Sequence, residues 1–124
     1  MPKIRLFKTG ATRDTDDGKL DFEAFLSPLV LTRYAQYMHE HRKQPDGNLR
    51  DGDNWQRGIP MTAYMKSMWR HFIAVWTLHR WIAFSGKCNW KDQLPEKQKE
   101  FEDALCAVIF NASGYLHEVI KSKK

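Results

Sequence analysis

Pro60-Met61-Thr62-Ala63-Tyr64-Met65-Lys66-Ser67-Met68-Trp69-Arg70-His71-Phe72-Ile73-Ala74-Val75-Trp76-Thr77-Leu78-His79-Arg80-Trp81-Ile82-Ala83-Phe84-Ser85-Gly86 is the stretch that decides the fold. Between Met61 and Ser85 it holds neither Gly nor Pro, and Gly86 suits a left-handed helix stop. Wound as a helix, it gathers Met65, Trp69, Phe72, Trp76 and Ala83 on one arc and Tyr64, Met68, Val75 and Ile82 on the next. An apolar arc this wide predicts a central helix with neighbours on two sides.

Upstream, Ser27-Pro28 pairs a capping hydroxyl with a proline at the first helical position, so a helix is expected from about Pro28 to Arg42. Its inward stripe would be Val30, Tyr34, Tyr37 and His41, with Leu31 and Met38 beside it. Asp21 can cap a short turn through Phe25. Downstream, Pro95 opens a last helix whose seam of threes and fours is Phe101, Leu105, Val108, Ile109, Ala112, Leu116, Val119 and Ile120. Residues 1–20 carry turn-forming small polar residues and read as an irregular arm; no segment shows strand alternation. The expected fold class is all-α: a single domain over residues 1–124, a small bundle of three long helices with short helical turns.

Composition sets the outer bounds. A chain of 124 residues with 42% hydrophobic content can build one core, which excludes disorder for most of its length. Three of its positive charges, Lys121, Lys123 and Lys124, stand in the final four residues; without them the net charge falls from +5 to +2. Bulk charge therefore argues weakly for a polyanion, and nucleic acid is not an expected partner. Cys88 and Cys106 fit no zinc or redox spacing and read as reduced thiols. The longest apolar run, Phe72 to Phe84, is interrupted by His79 and Arg80, so no membrane partner is expected. The basic start lacks a signal-peptide apolar stretch, and the expected location is cytoplasmic.

Chemistry concentrates in the connection from Lys43 to Ile59, which is longer than the roughly 12–15 residues common for structureless loops. Within it, Arg50-Asp51-Gly52-Asp53-Asn54-Trp55-Gln56-Arg57-Gly58 supplies groups that grip phosphate, order Mg²⁺ and stack on a base. The plain alternative is a loop folded on its own turns with Trp55 as a lid on the core. Arg70 and His71 adjoin on the central helix, where they can meet a phosphate or serve as a satisfied structural pair. His79 lies about 80° round the axis from His71, which disfavours a shared metal. His39-Glu40-His41 reads as a solvated helix end. Asn111, Tyr115 and Glu118 share a face beside Gly114, where either a helix or a ligand can approach closely. Glu100 and Asp103 have Glu-x-x-Asp spacing, which puts paired carboxylates on one helix face.

Arg13-Asp14, Leu26-Ser27-Pro28-Leu29-Val30-Leu31, Arg33-Tyr34-Ala35, His41-Arg42-Lys43, Asp53-Asn54-Trp55-Gln56-Arg57-Gly58-Ile59-Pro60, Arg70-His71 and His79-Arg80 form an ordered string of motifs. The string resembles the phage and bacterial family called dATP/dGTP diphosphohydrolase, N-terminal domain, over about residues 7–120. The resemblance implies a small helical domain linked to purine deoxynucleotide hydrolysis with Mg²⁺, releasing a monophosphate and pyrophosphate. It also implies the host-cell cytoplasm for a phage-encoded chain.

The ligand-binding residues expected are Arg13, Lys19, Arg33, Tyr37, Asn54, Trp55, Arg70, His71 and His79, with Asp51, Asp53, Glu100 and Asp103 as Mg²⁺ candidates. The leading expectation is binding of a purine nucleotide or nucleotide-derived molecule. Its rivals are dATP/dGTP diphosphohydrolysis, non-catalytic sequestration of a nucleotide-derived host defence signal, and a helical protein-interaction module. Five Trp in one small chain also predict a homo-oligomer.

Overall fold

The computed structural model describes residues 3–86 and 89–124. Cys88, read above as a reduced thiol, lies outside them. The described chain is mostly helical, and it divides into two compact units, Met1–Leu31 and Thr32–Lys124.

The first unit corrects the reading of residues 1–20 as an irregular arm. Strand β1 (Ile4–Leu6) pairs antiparallel with β2 (Thr12–Asp14), Arg5 facing Arg13 across the pair. Gly10, at φ 90°, makes the turn, and its N–H donates to the Phe7 carbonyl at 2.9 Å. Arg5 ties the hairpin down by donating from Nε to the Asp14 carbonyl at 3.1 Å and from Nη1 to Asp16 Oδ2 at 3.1 Å. Strands of three residues are too short to display the two-residue period by which a strand is read from sequence.

Capping behaves as its residue types dictate. Asp21 Oδ1 accepts from the Ala24 N–H at 3.0 Å and starts the single turn α1 (Phe22–Phe25). Ser27 Oγ accepts from the Val30 N–H at 3.2 Å and starts α2 (Pro28–Glu40). The inward stripe of α2 holds only in its second half: Tyr37 is buried and Tyr34 and Met38 partly so, while Val30, Leu31 and His41 are exposed.

In the second unit, α3 (Met61–Phe84) packs against α4 (Pro95–Ser122), and Gly86 ends the run beyond α3 at φ 80°. Burial on α3 falls on the Tyr64, Met68, Val75 and Ile82 arc together with Leu78. The other arc, Met65, Trp69, Phe72 and Trp76, is exposed, which corrects the expectation of neighbours on two sides.

The predicted seam of α4 is likewise turned. Its buried residues are Ala104, Cys106, Ala107, Asn111 and Gly114, whereas Leu105, Leu116 and Ile120 are exposed. Small size, not apolarity, selects this face. A β-carbon on Gly114 would overlap the ring of Tyr64, so the bare glycine admits that ring, which is 1% exposed. Tyr37, Cys106 and Ala107 form a second buried cluster with Tyr34 and Met38 against it. Burial pushes the Cys106 thiol up, consistent with a reduced core cysteine.

Candidate functional site

The Lys43–Ile59 connection is folded by its own polar groups. Arg42 Nε donates to the Arg50 carbonyl at 2.8 Å, and the Arg50 N–H donates to the Arg42 carbonyl at 2.6 Å. Inside this clasp, Lys43 bridges Leu49 and Asp46 accepts from the Asn48 N–H at 2.9 Å. A 3₁₀ turn follows at Asn54–Arg57, and Gly58 at φ 103° redirects the chain into Pro60. Asp51 Oδ2 accepts from Arg57 Nη2 at 2.6 Å across the turn. The result carries Trp55 back onto α4, where its indole meets the His117 ring edge-on at 4.8 Å between centroids.

A cavity of about 240 Å³ opens under this loop. Tyr37, His41 and Arg42 come to it from the end of α2, and Ser67 and His71 from α3. The loop supplies Arg50, Asp51, Asn54 and Trp55, and α4 closes the far wall with Phe110 and Asn111. Among the described residues neither Arg42 nor Arg50 is in an ion pair, so both guanidiniums keep charge for a ligand.

His41 Nδ1 lies 2.8 Å from the Tyr37 carbonyl. A carbonyl only accepts, so this nitrogen carries the proton, and in the neutral ring Nε2 is the acceptor. Burial, then the charges of Arg70 and His41, hold the His71 imidazole below its ordinary range, so it is neutral at pH 7. Burial pushes the phenols of Tyr34 and Tyr37 up, keeping both as neutral donors.

A second cleft, of about 390 Å³, shares Met38, Gly52, Trp55 and Phe110 with the first. Tyr34, Ser113, Gly114 and His117 complete it.

Of the residues expected to bind ligand, Tyr37, Asn54, Trp55 and His71 meet in the first cavity. Arg33 does not join them. Its Nε donates to Glu102 Oε1 at 2.7 Å and its Nη2 to Asp103 Oδ1 at 2.6 Å, and these carboxylates, Asp103 first, raise its pKa further. Arg70 is exposed on α3 beside His71, outside the cavity lining. His79 lines a separate apolar cleft with Phe72, Val75 and Trp76. Arg13 stands on β2 and Lys19 in the segment after it, both in the first unit.

The carboxylates named for Mg²⁺ do not converge. Asp51 is held by Arg57, Glu100 by Lys97 at 3.2 Å, and Asp103 by both Arg33 and Lys99 at 2.6 Å. Asp53 precedes the 3₁₀ turn and makes no side-chain cap there. No group of three or more His, Cys, Asp or Glu able to hold a metal occurs among the described residues.

Sequence reasoning missed Arg42 and His117 as site residues; His41, exposed at the end of α2 as its reading as a solvated terminus has it, also lines the cavity. Both His41 and Arg42 adjoin the long loop, and that adjacency was the available signal. His117 had none, because only the return of Trp55 to α4 brings it in.

No family model, no curated protein and no solved structure matches the chain. The functional reading therefore rests on the residues themselves.

Proposed function

We propose that the chain binds a purine nucleotide or nucleotide-derived molecule in the cavity under Trp55. The observation that carries this reading is the convergence of Trp55, Asn54 and Tyr37 with the imidazole of His71 and two arginines, Arg42 and Arg50, that are in no ion pair among the described residues. Arginine offers phosphate a planar fork of charge-assisted donors, and an indole stacks on a base for roughly 1–3 kcal/mol. Carboxylates already committed to Arg33, Arg57, Lys97 and Lys99 favour binding, including sequestration of a nucleotide-derived signal, over Mg²⁺-dependent hydrolysis. Calorimetry with purine mono-, di- and triphosphates and their cyclic and ribosylated derivatives tests it. At least one should bind more tightly than about millimolar, equivalent to roughly 4 kcal/mol; none doing so overturns the reading.

We also propose that a second copy of the chain covers the exposed arc of α3. Met65, Trp69, Phe72 and Trp76 repeat at spacings of four, three and four, the seam of paired helices, and Ile73 adjoins them. No helix of the described residues is long and apolar enough to cross a membrane, so bilayer insertion of α3 as a span does not account for this arc.

A further inference from the structure

We infer that the two clefts flanking Trp55 divide the labour of one ligand: its phosphates in the cleft of Arg42 and Arg50, its purine in the cleft of Tyr34 and His117. This rests on reading the Trp55 cavity as a nucleotide site and adds an orientation to it.

Size makes the first step. Small-molecule sites usually enclose roughly 300–1,000 Å³. The first cavity, at about 240 Å³, falls short of that range, and the second, at about 390 Å³, lies within it. They adjoin through Met38, Gly52, Trp55 and Phe110, so a ligand filling one is led into the other along the indole.

Charge makes the second step. Arg42 and Arg50, with the imidazoles of His41 and His71, line the first cavity beside one carboxylate, Asp51, which Arg57 offsets at 2.6 Å; neither arginine and neither imidazole lines the second. The second is walled by the aromatic surfaces of Tyr34, Phe110 and Trp55, with Ser113 and His117 among its polar residues. Ser113 and His117 are four residues apart on α4 and so share a face of the helix. A polyanion placed there would lose its water without gaining a cation, which is costly; a purine would gain stacking surface and hydrogen-bonding groups for its edge. In the first cavity the balance reverses, because two guanidiniums repay phosphate desolvation. A phosphate-bearing purine therefore has one favourable direction across Trp55.

The test uses the whole chain, dATP and inorganic pyrophosphate as probes, and two variants. Ser113→Phe fills the second cleft from an exposed helical position, where Ser and Phe have similar helix propensities. Arg50→Met removes charge from the first. Calorimetry should show Ser113→Phe weakening dATP at least tenfold while pyrophosphate stays within twofold. Arg50→Met should weaken dATP and pyrophosphate alike, each at least tenfold. Circular dichroism checks that both variants keep their helices. If Ser113→Phe weakens pyrophosphate as much as dATP, or leaves dATP unchanged, the division is overturned while nucleotide binding by the wild type stands. If dATP and the rest of the nucleotide panel all fail to bind the wild type, the site reading itself falls and takes the division with it. A second Ser113 variant, Ser113→Leu, should reproduce the selectivity of Ser113→Phe; its failure to do so also counts against the assignment.

Discussion

Gly114 on α4 sits against the ring of Tyr64 on α3 so closely that a β-carbon at 114 would overlap the ring. This one contact sets how near the two longest helices approach. Gly114→Ala gains about 1 kcal/mol of helix propensity but overpacks a site that usually costs about 1–3 kcal/mol. Tyr64 is 1% exposed and has nowhere to move, so overpacking wins. The expected result is a net loss of up to about 2 kcal/mol, read from the urea midpoint. Tyr64→Phe should be nearly neutral by comparison, because the buried Tyr64 hydroxyl has no hydrogen-bond partner among the described residues to lose. Gly114→Ala at wild-type stability would show that the helices are not held at this distance.

Arg33 joins α2 to α4 through Glu102 and Asp103, both partly buried. Arg33→Met removes two charge-assisted hydrogen bonds and leaves two carboxylates close together, an expected cost of about 1–3 kcal/mol at pH 7. Burial pushes the Asp103 carboxyl up, but hydrogen bonds from Lys99 and Arg33 outweigh it and hold the group below its ordinary value. A depressed folded pKa stabilises the fold above the unfolded value, near 3.8, and that contribution is lost as pH falls through the folded value. The difference between wild type and Arg33→Met should therefore shrink below about pH 4 in denaturation series. A difference that stays constant down to pH 2 would assign the loss to packing.

What could be read from sequence was local. Asp21 and Ser27 accept from backbone N–H groups three residues on, Gly86 takes the positive φ its type allows, and each bounds a helix as its type predicts. The hairpin escaped because its evidence is a register, Arg5 opposite Arg13, and not a period. The buried face of α4 escaped because apolarity ranked Leu105 and Leu116 above Ala104, Ala107 and Gly114, while close helix approach selects the smaller side chains. In the site, Trp55, Asn54 and His71 were legible from chemical type. Arg33 drew the same phosphate expectation as Arg50. Only its partners, 69 and 70 residues away, distinguish a committed arginine from an unpaired one.

His71 gives the site a pH dependence. Its folded pKa is lowered by burial and by the charges of Arg70 and His41, so its contribution to stability is present above the unfolded value, near 6.5, and is lost as pH falls below it. A bound phosphate reverses the local field and favours the imidazolium. Affinity for dATP should rise as pH falls from 8 toward 6, and binding should take up protons, seen as a buffer-dependent calorimetric enthalpy. His71→Gln should flatten both effects. Binding that is pH-independent in the wild type would place the phosphates away from His71.

The last expectation concerns the exposed arc of α3. Met65, Trp69, Phe72, Ile73 and Trp76 are each between 43% and 62% exposed. A fully covered aromatic side chain buries roughly 150–250 Å², so half-exposed neighbours of this size offer on the order of 500 Å² per copy. Specific interfaces need about 600–1,000 Å² per partner, and the stems of Lys66 and Arg80 on the same face can supply much of the remainder. Charge limits the geometry. An antiparallel alignment centred near Ile73 would set Lys66 of one copy opposite Arg80 of the other, with no acidic residue on α3 to neutralise them. Crossing the helices at Phe72 at about 50° keeps the apolar centres together and the cations apart. Association should therefore strengthen with added salt, which screens the residual repulsion. Light scattering of the wild type at micromolar concentration should give more than one chain's mass. Trp69→Glu, at a side chain already 62% exposed, should weaken association at least tenfold without loss of helix. A wild type that stays monomeric across salt concentrations would leave this arc without a second copy and overturn the assignment.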